Sequence, residues 1–332
     1  MSLQDAYGRT IDYLRISLTD KCNLRCKYCM PPEGISRLQH AEVLTLEEVC
    51  RVAGVLTEMG IRRIRLTGGE PLVRKGIDGL MRELSQLPGR PELAMTTNGV
   101  ALADRLEELV AAGLRSVNIS LDTRDPGKYR GLTGTDAFDA VERSVRLAVQ
   151  MGLPVKINCV PIRGINDEEL TGLAEYARDK KIDVRFIELM PMGFARDYQG
   201  IPEAEILEKL EALYGPAERV EEASVDRGPA KYVHFKGFQG RVGFISPLSH
   251  TFCSECNRLR LTVEGRLKLC LYYPEGLDVK RLLRDGCTDE ELKYAIHGII
   301  RLKPERHGFC ERDSGTVPLS HQETRSMYEI GG

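Results

Sequence analysis

Short β-like runs alternate with amphipathic helical stretches from residue 12 to about residue 214, and this alternation constrains the fold more than any other feature. Six runs are expected to be strands, at 13–18, 63–67, 93–97, 116–121, 154–160 and 184–189. Helical patterns occupy 45–59, 74–87, 101–112, 136–151, 167–181 and 202–213. Repeated strand–helix units build a parallel sheet with helices on its outer side. Because eight units close a full barrel, six units predict an α/β fold with an incomplete (β/α)6 barrel of the TIM type.

Aliphatic and polar residues alternate within the predicted strands, so the two faces of the sheet differ. Leu14 and Ile16 point one way and Arg15 the other, because successive strand side chains lie on opposite faces. The same alternation turns Arg65 and Lys156 to the polar face. Buried charges are costly without partners, which leaves two explanations open. Either acids pair with these cations across the lumen, or the lumen holds solvent and an anionic ligand. We favour the ligand, because few acids lie on the same faces.

Three cysteines near the start of the chain, Cys22, Cys26 and Cys29, form a C-x3-C-x2-C pattern. Each iron of a [4Fe–4S] cluster normally takes one cysteine, so three thiolates leave one iron without a protein ligand. An open metal position is where a substrate or cofactor binds, and Tyr28 lies beside it in the sequence. The spacing favours a cluster over the alternatives, which are a zinc site with a distant fourth ligand or three unconnected thiols.

A second set of cysteines lies where the chain changes character. Residues 217–270 contain short strand-like runs separated by turns, which predict antiparallel hairpins. Cys253, Cys256 and Cys270 form C-x2-C-x13-C there, a pattern that indicates a metal site. A zinc site completed by His250 and a second [4Fe–4S] cluster with an open iron both suit this segment. The first motif makes the cluster the better interpretation.

Other residues stand where ligands bind. Arg258 and Arg260 lie two positions apart, so both face one side of a strand, and guanidinium groups suit phosphate oxygens. The turn TGGEP, residues 67–71, follows the second predicted strand, and its glycines let the backbone approach a ligand closely. Ser120 and Met190 end two further strands at the rim where barrel active sites lie.

Composition excludes several classes of protein. The 332 residues carry 47 basic and 49 acidic side chains, and this balance gives no attraction for nucleic acid. No apolar run approaches the ~18 residues of a membrane span, and no signal peptide is evident. Ten cysteines without an export signal indicate thiolate ligands in a reducing compartment, so we expect a cytoplasmic protein. Four cysteines lack ligand spacing and are expected to be buried free thiols: Cys50, Cys159, Cys287 and Cys310.

The cysteine loop and the TGGEP turn together resemble those of radical S-adenosylmethionine (SAM) enzymes, and the whole chain is similar to the MoaA family of GTP 3′,8-cyclases. The similarity is carried by DYLRISLTDKCNLRCKYCMP, RIRLTGGEPLVR, TTNG, NISLD, GIND, HTFCSECNRLRLT and the final MYEIGG. It implies an incomplete (β/α)6 barrel closed by a C-terminal antiparallel sheet region. It also implies a radical SAM domain at 1–214, a domain with the second cluster at 215–318 and a flexible tail at 319–332.

The resemblance further implies cofactors and site residues. The cofactors are SAM and two [4Fe–4S] clusters, one held with SAM by Cys22, Cys26 and Cys29 and one held with substrate by Cys253, Cys256 and Cys270. The residues implied to contact SAM are Tyr28, Gly69, Ser120 and Met190. Those implied to contact GTP are Arg15, Arg65, Thr96, Lys156, Arg258, Leu259 and Arg260. The terminal pair Gly331 and Gly332 is implied to enter the active site and support turnover.

The implied activity is that of a radical SAM lyase at the start of molybdenum-cofactor biosynthesis. A 5′-deoxyadenosyl radical would take hydrogen from C3′ of GTP, and C3′ would then join C8 of guanine, which binds the second cluster. The product would be 3′,8-cyclo-7,8-dihydroguanosine 5′-triphosphate. Implied partners are a flavodoxin- or ferredoxin-type electron donor and cyclic pyranopterin monophosphate synthase, with a monomer or homodimer as assembly. The alternatives are a radical SAM peptide maturase with an auxiliary cluster, a non-catalytic iron–sulfur electron carrier and a zinc-stabilised binding protein.

Overall fold

One sheet of twelve strands runs through the part of the chain that the computed structural model describes, which is residues 3–31, 33–34, 38–220, 228–309 and 323–331. The strands are β1 Tyr13–Ser17, β2 Arg63–Thr67, β3 Glu92–Thr97, β4 Leu114–Ser120, β5 Val155–Cys159, β6 Asp183–Ile187, β7 Ala217–Val220, β8 Lys231–Phe235, β9 Val242–Ile245, β10 Arg258–Leu261, β11 Arg266–Lys268 and β12 Gly276–Asp278. The α-helices are α1 Leu46–Met59, α2 Ile77–Gln86, α3 Leu106–Ala111, α4 Pro126–Thr133, α5 Phe138–Gln150, α6 Leu170–Asp179, α7 Glu203–Tyr214, α8 Val279–Arg284, α9 Asp289–Ile300 and α10 Met327–Ile330.

The centre of the sheet is parallel. Strands β1 to β6 lie side by side in chain order, and β10 and β9 add to the two edges of this group, again in parallel. Antiparallel strands then extend the sheet on both sides, β11 and β12 beyond β10, and β8 and β7 beyond β9. The predicted α/β class and the six parallel strands are confirmed. The chain on both sides of the predicted boundary at 214 contributes to this one sheet, and the boundary itself stays a prediction.

The sheet is not closed, so the closure expected from the C-terminal antiparallel strands is not confirmed. Among the described residues, β12 and β7 are the two ends of the strand order and do not pair with each other. The C-terminal strands β9 and β10 instead take parallel places at opposite edges. A closed barrel of eight strands fills its interior with side chains. Here the inner face carries arginine and lysine, which need room for solvent or a ligand.

The aliphatic face of the sheet packs against the helices. Leu14 and Ile16 of β1 have no exposed surface and lie in one hydrophobic core with Val52 and Leu56 of α1. Helix α1 begins after Thr45, whose side chain accepts the backbone N–H of Glu48 at 3.1 Å in a capping box. The alternation of the strands therefore decides which face is covered. No helix within the described ranges is long and apolar enough to span a membrane.

Candidate active site

A cavity of about 400 Å³ lies on the polar face of the sheet. Residues of all eight parallel strands of the described sheet line it, including β10 and β9 at the two edges of the parallel group, so the sheet curves around the cavity. The lining strand residues include Arg15, Arg65, Thr96, Asn118, Ser120, Lys156, Asn158, Arg185, Ile245, Arg258 and Arg260. The inward direction predicted for Arg15, Arg65 and Lys156 is thereby confirmed.

The first cysteine loop, residues 20–30, lies against the end of α4. The backbone N–H of Arg25 donates to the carbonyl oxygen of Thr133 at 2.8 Å, and that of Lys27 to Leu132 at 3.1 Å. These are carbonyls of the last helical turn, which have no partner inside the helix. The helical pattern of the sequence did not predict α4, although Asp125 and Pro126 are typical residues for a helix start.

The glycine turn after β2 holds the other side of this loop. The N–H of Gly69 donates to Thr19 at 2.7 Å, and the N–H of Glu70 donates to Lys21 at 2.8 Å. A Cβ atom on Gly69 would overlap the carbonyl oxygen of Lys21. The turn therefore needs glycine because two backbone segments touch, and their contact sets the position of the cysteine loop that follows.

The thiols of this loop line the cavity, and two of them have N–H hydrogen-bond donors close by. Burial raises the pKa of Cys22 and of Cys26, and it raises the pKa of Cys29 to about 12. Asn98 Nδ2 lies 3.8 Å from Cys22 Sγ, and the backbone N–H of Tyr328 donates to Cys29. Metal coordination deprotonates such thiols, and hydrogen bonds to sulfur tune iron–sulfur clusters. The loop therefore fits a cluster.

Tyr28 is fixed beside these thiols by a residue that the sequence analysis missed. Its hydroxyl donates to Asp122 Oδ2 at 2.8 Å, and Asp122 Oδ1 accepts the N–H of Val160 at 2.8 Å. Burial raises the pKa of Asp122 to about 6. Both side chains line the cavity. The position of Asp122, just past the end of β4, is the signal that could have identified it.

Glu70 is a second buried acid at the cavity wall, with 1% of its surface exposed. Burial raises its pKa to about 7. The carboxylate accepts the Thr97 hydroxyl and the Asn98 N–H, both at 2.7 Å. It therefore ties the glycine turn to the end of β3, next to the first cysteine loop.

The second cysteine set lines the same cavity. Burial favours the neutral thiol of Cys256, but the positive charges of Lys303 and Arg258 lower its pKa to about 6. The Nζ of Lys303 donates to the carbonyl oxygen of Arg258 at 3.0 Å, which holds the ammonium group close by. A thiolate at neutral pH is the form that binds metal.

The zinc alternative for this set is not supported. His250 Nδ1 lies 3.4 Å from Glu203 Oε2, and the side chain is 55% exposed and turned to that partner. Across the described ranges, no three His, Cys, Asp or Glu side chains converge closely enough to hold a single ion, as zinc with bonds of about 2.3 Å to sulfur requires. The three-cysteine motif, which parallels the first cysteine set, remains the reason to expect a cluster here.

Three arginines lie in register across neighbouring strands and form the arginine row, Arg260, Arg15 and Arg65. Burial and neighbouring arginines lower the pKa of Arg15 to about 10 and that of Arg260 well below its usual value. The Nε of Arg65 donates to Tyr13 Oη at 2.6 Å. Although burial alone favours the neutral phenol, Arg65, Arg15 and Arg258 lower the pKa of Tyr13 to about 7. Crowded like charges of this kind are relieved by an anionic ligand.

Further polar groups complete the wall. Arg185, which strand alternation could have predicted, donates to Asn158 Oδ1 at 2.7 and 2.9 Å. The buried Thr96 Oγ1 and Asn118 Oδ1 have no hydrogen-bond partner among the described residues. Buried polar atoms normally have partners, so these atoms suit a polar ligand.

Most residues implied by the resemblance meet at this cavity. Tyr28, Gly69, Ser120 and Met190 line it, as do the GTP candidates with one exception. Leu259 is fully buried in the aliphatic core, so only its backbone could approach a ligand. Gly331 reaches the arginine row, because its carbonyl oxygen accepts Arg260 Nη1 at 2.7 Å. Gly332 lies outside the described residues.

The described cysteines without ligand spacing do not line the cavity, although the Cys159 thiol donates to Asp122. Cys159 is buried and lies 3.6 Å from Asn166 Nδ2, while Cys50 and Cys287 are half-buried at the edge of the core. Cys310 lies outside the described residues. The expectation of buried thiols is thus confirmed for Cys159 and met in part by Cys50 and Cys287.

Family models match both parts of the chain. A model described as Radical SAM superfamily matches residues 16–177, and one described as Molybdenum Cofactor Synthesis C matches residues 182–309. Among solved structures, Streptococcus suis SuiB bound to precursor peptide SuiA aligns with a TM-score of 0.61 and 14% identity, over 94% of this chain and 69% of that chain. This likeness shows the fold alone.

Relatives match the chain almost from end to end. A protein named GTP 3′,8-cyclase from Clostridium perfringens is 41% identical over 330 residues, covering 99% of this chain and 100% of the relative. One of the same name from Peptoclostridium acidaminophilum is 44% identical, covering 99% and 98%. The mitochondrial GTP 3′,8-cyclase of Arabidopsis thaliana is 41% identical, covering 99% and 83%. The chain therefore belongs to the GTP 3′,8-cyclase (MoaA) family of radical SAM enzymes.

Proposed function

We propose that this protein is a GTP 3′,8-cyclase, which converts GTP into 3′,8-cyclo-7,8-dihydroguanosine 5′-triphosphate in the first step of molybdenum-cofactor biosynthesis. The observation that carries the proposal is that two cysteine triads and the arginine row line one cavity. The name that relatives bear over 99% of the chain supports the same activity.

The first cysteine triad would hold the [4Fe–4S] cluster and leave one iron for SAM. When bound there, SAM supplies the 5′-deoxyadenosyl radical that removes hydrogen from C3′ of GTP. Tyr28, fixed by Asp122 at 2.8 Å, would present its ring to SAM. Gly69, whose missing side chain lets the glycine turn lie against the cysteine loop, lines the rim together with Ser120 and Met190. These residues position the cofactor, whereas the hard chemistry belongs to the cofactor itself.

The arginine row would bind the triphosphate, together with Lys156 and Arg258. Phosphate oxygens form charge-assisted hydrogen bonds with guanidinium groups. Burial and repulsion between neighbouring arginines lower the pKa of Arg15 and Arg260, and phosphate relieves the repulsion. Held in this way, GTP keeps its ribose in one orientation. Such positioning accounts for much of the rate of reactions between bound groups.

The second cysteine triad would hold a second [4Fe–4S] cluster, and the lowered pKa of Cys256 favours the thiolate form that binds iron. Binding of guanine to its open iron stays a prediction. We further infer that the eight parallel strands form an incomplete barrel and that the reaction is that of a lyase. The electron donor, the synthase as the next enzyme, the cytoplasmic location and the monomer or homodimer also stay predictions.

The rival functions have less support. A radical SAM peptide maturase has only the fold likeness to SuiB in its favour, and a row of arginines suits a triphosphate better than a peptide. A non-catalytic electron carrier would be expected to close each cluster with four cysteines, whereas each motif here has three.

The test is the double substitution R258A/R260A. Because each arginine loses charge-assisted hydrogen bonds, we expect GTP affinity measured by calorimetry to fall about 100-fold or more. Reductive cleavage of SAM to 5′-deoxyadenosine should persist, since the first cysteine triad is untouched. The matched control is Arg281→Ala on α8, whose side chain is 79% exposed. Unchanged GTP affinity in the double variant would overturn the substrate assignment.

A further inference from the structure

A buried ion cluster joins the C-terminal end of the chain to the sheet. Lys268 has no exposed surface and Glu323 has 3%, and the Nζ of Lys268 donates to Glu323 Oε2. Arg325 donates to both oxygens of Glu323, at 3.0 and 2.9 Å, and to Glu264 Oε2 at 2.9 Å. Fully buried charges are rare and are nearly always paired, so this cluster has a specific role in placing residues 323–331, the terminal segment.

The cluster and the arginine row are neighbours in the sheet. Lys268 of β11 lies directly opposite Arg260 of β10 in the antiparallel register, and side chains of such a pair share one face. Lys268 binds Glu323 at the start of the terminal segment, while Arg260 binds the carbonyl oxygen of Gly331 at its end, at 2.7 Å. Two adjacent cations of the sheet thus hold the segment at both ends.

The segment between these two points fits closely against the site. Ser326 caps α10 in a box with Glu329, and a Cβ atom on the neighbouring Gly193 would collide with Ser326. Tyr328 lines the cavity and donates its N–H to Cys29. Gly331 has φ +74°, and a Cβ atom there would lie 3.0 Å from Ser17 Cβ and from Thr67 Oγ1. A segment packed this tightly transmits a shift at Glu323 to its far end.

We infer that Lys268 and Glu323 are positioning residues, which anchor the terminal segment so that the carbonyl oxygen of Gly331 holds the Arg260 guanidinium in the cavity. The inference rests on the proposed function in one respect, that Arg260 binds GTP. The burial of the ion pair supports it further. Burial alone favours the protonated acid, but Arg325 and Lys268 lower the pKa of Glu323 to about 2, so Glu323 keeps its charge at neutral pH. Burial lowers the pKa of Lys268 as well, and the carboxylate of Glu323 opposes that shift.

The first test is Glu323→Gln in the cluster-loaded protein without GTP, with hydrogen–deuterium exchange as the readout. Because the charged pair is lost, we expect amide protection at 327–331 to fall about tenfold or more, with β1 to β6 unchanged. The double variant K268M/E323M replaces the pair by apolar side chains of similar length and should restore much of the protection. Glu290→Gln, at an exposed ion pair with Lys293, is the matched control. Unchanged protection in Glu323→Gln would overturn the anchor.

The second test separates positioning from general stability. We expect Glu323→Gln to raise the KM for GTP about tenfold and to change the KM for SAM less, because Gly331 holds Arg260 directly, whereas Tyr328 contacts the SAM side of the cavity through one N–H on Cys29. K268M/E323M should return the GTP value towards that of the original protein. Lost protection without any change in the GTP value would overturn the link to Arg260. If the original protein neither binds nor converts GTP, the proposed function fails, while the exchange result on the anchor still stands.

Discussion

Gly68 begins the turn after β2 and lies directly against Thr19, which precedes the first cysteine loop. Its φ is +154°, which residues with side chains rarely adopt. A Cβ atom on Gly68 would lie 2.6 Å from the carbonyl oxygen of Thr19, about 0.8 Å short of ordinary contact at 3.4 Å. That oxygen also accepts the N–H of Gly69 at 2.7 Å. Since the obstacle is backbone, the loop that leads to Cys22 must move.

Gly68→Ala is therefore expected to lower the free energy of unfolding by at least about 2 kcal/mol, from backbone strain together with overpacking. Denaturant unfolding of the cluster-free protein measures this. Because the cysteine loop shifts, iron and sulfide bound after anaerobic reconstitution should fall as well. The matched control is Gly298→Ala, which lies in α9 with no atom within 4 Å of its Cβ and should gain up to about 1 kcal/mol. A Gly68→Ala protein with unchanged stability and iron content would refute the reasoning.

Three further predictions concern the cavity. The pKa of Tyr13 is lowered to about 7, so its phenolate forms as the pH rises and competes with phosphate for Arg65. The KM for GTP should therefore rise between about pH 6 and pH 8, and it should not change with pH in Tyr13→Phe. Cys270→Ala should reduce bound iron from about eight to about four per chain and keep SAM cleavage. Asp122→Asn should weaken SAM binding about tenfold, because Tyr28 loses a charged acceptor.

Each of these predictions has a control in the same chain. Tyr294→Phe changes a phenol that is 85% exposed and should keep the original pH profile. Cys287→Ala removes a thiol outside both triads and should leave the iron content unchanged. Asp285→Asn changes an exposed acid and should leave SAM affinity intact. The account of Tyr13 would be contradicted if Tyr13→Phe kept the original pH profile. The cluster at the second cysteine set would be contradicted if Cys270→Ala kept its iron and lost one zinc. The role of Asp122 would be contradicted if Asp122→Asn bound SAM with full affinity.

The period-two alternation of the strands was the most reliable guide to the site. It predicted that Arg15 and Arg65 face inward, and both line the cavity. The same rule applied to β6 would have identified Arg185. Sheet closure could not be judged in this way. Strands β9 and β10 lie at opposite edges of the β1 to β6 group because they pair with β6 and β1, and these partners are distant from them in the sequence.

The sequence by itself determined the features that depend on near neighbours. The strand faces, the spacing of each cysteine triad and the glycine turn follow from backbone geometry within a few residues. Only the tertiary structure decided that both triads share one cavity and that Lys268 meets Glu323, 55 residues away, while Arg260 meets Gly331, 71 residues away. Such contacts are made only when the whole sheet has assembled, because buried charges choose partners by position in space and not by distance along the chain.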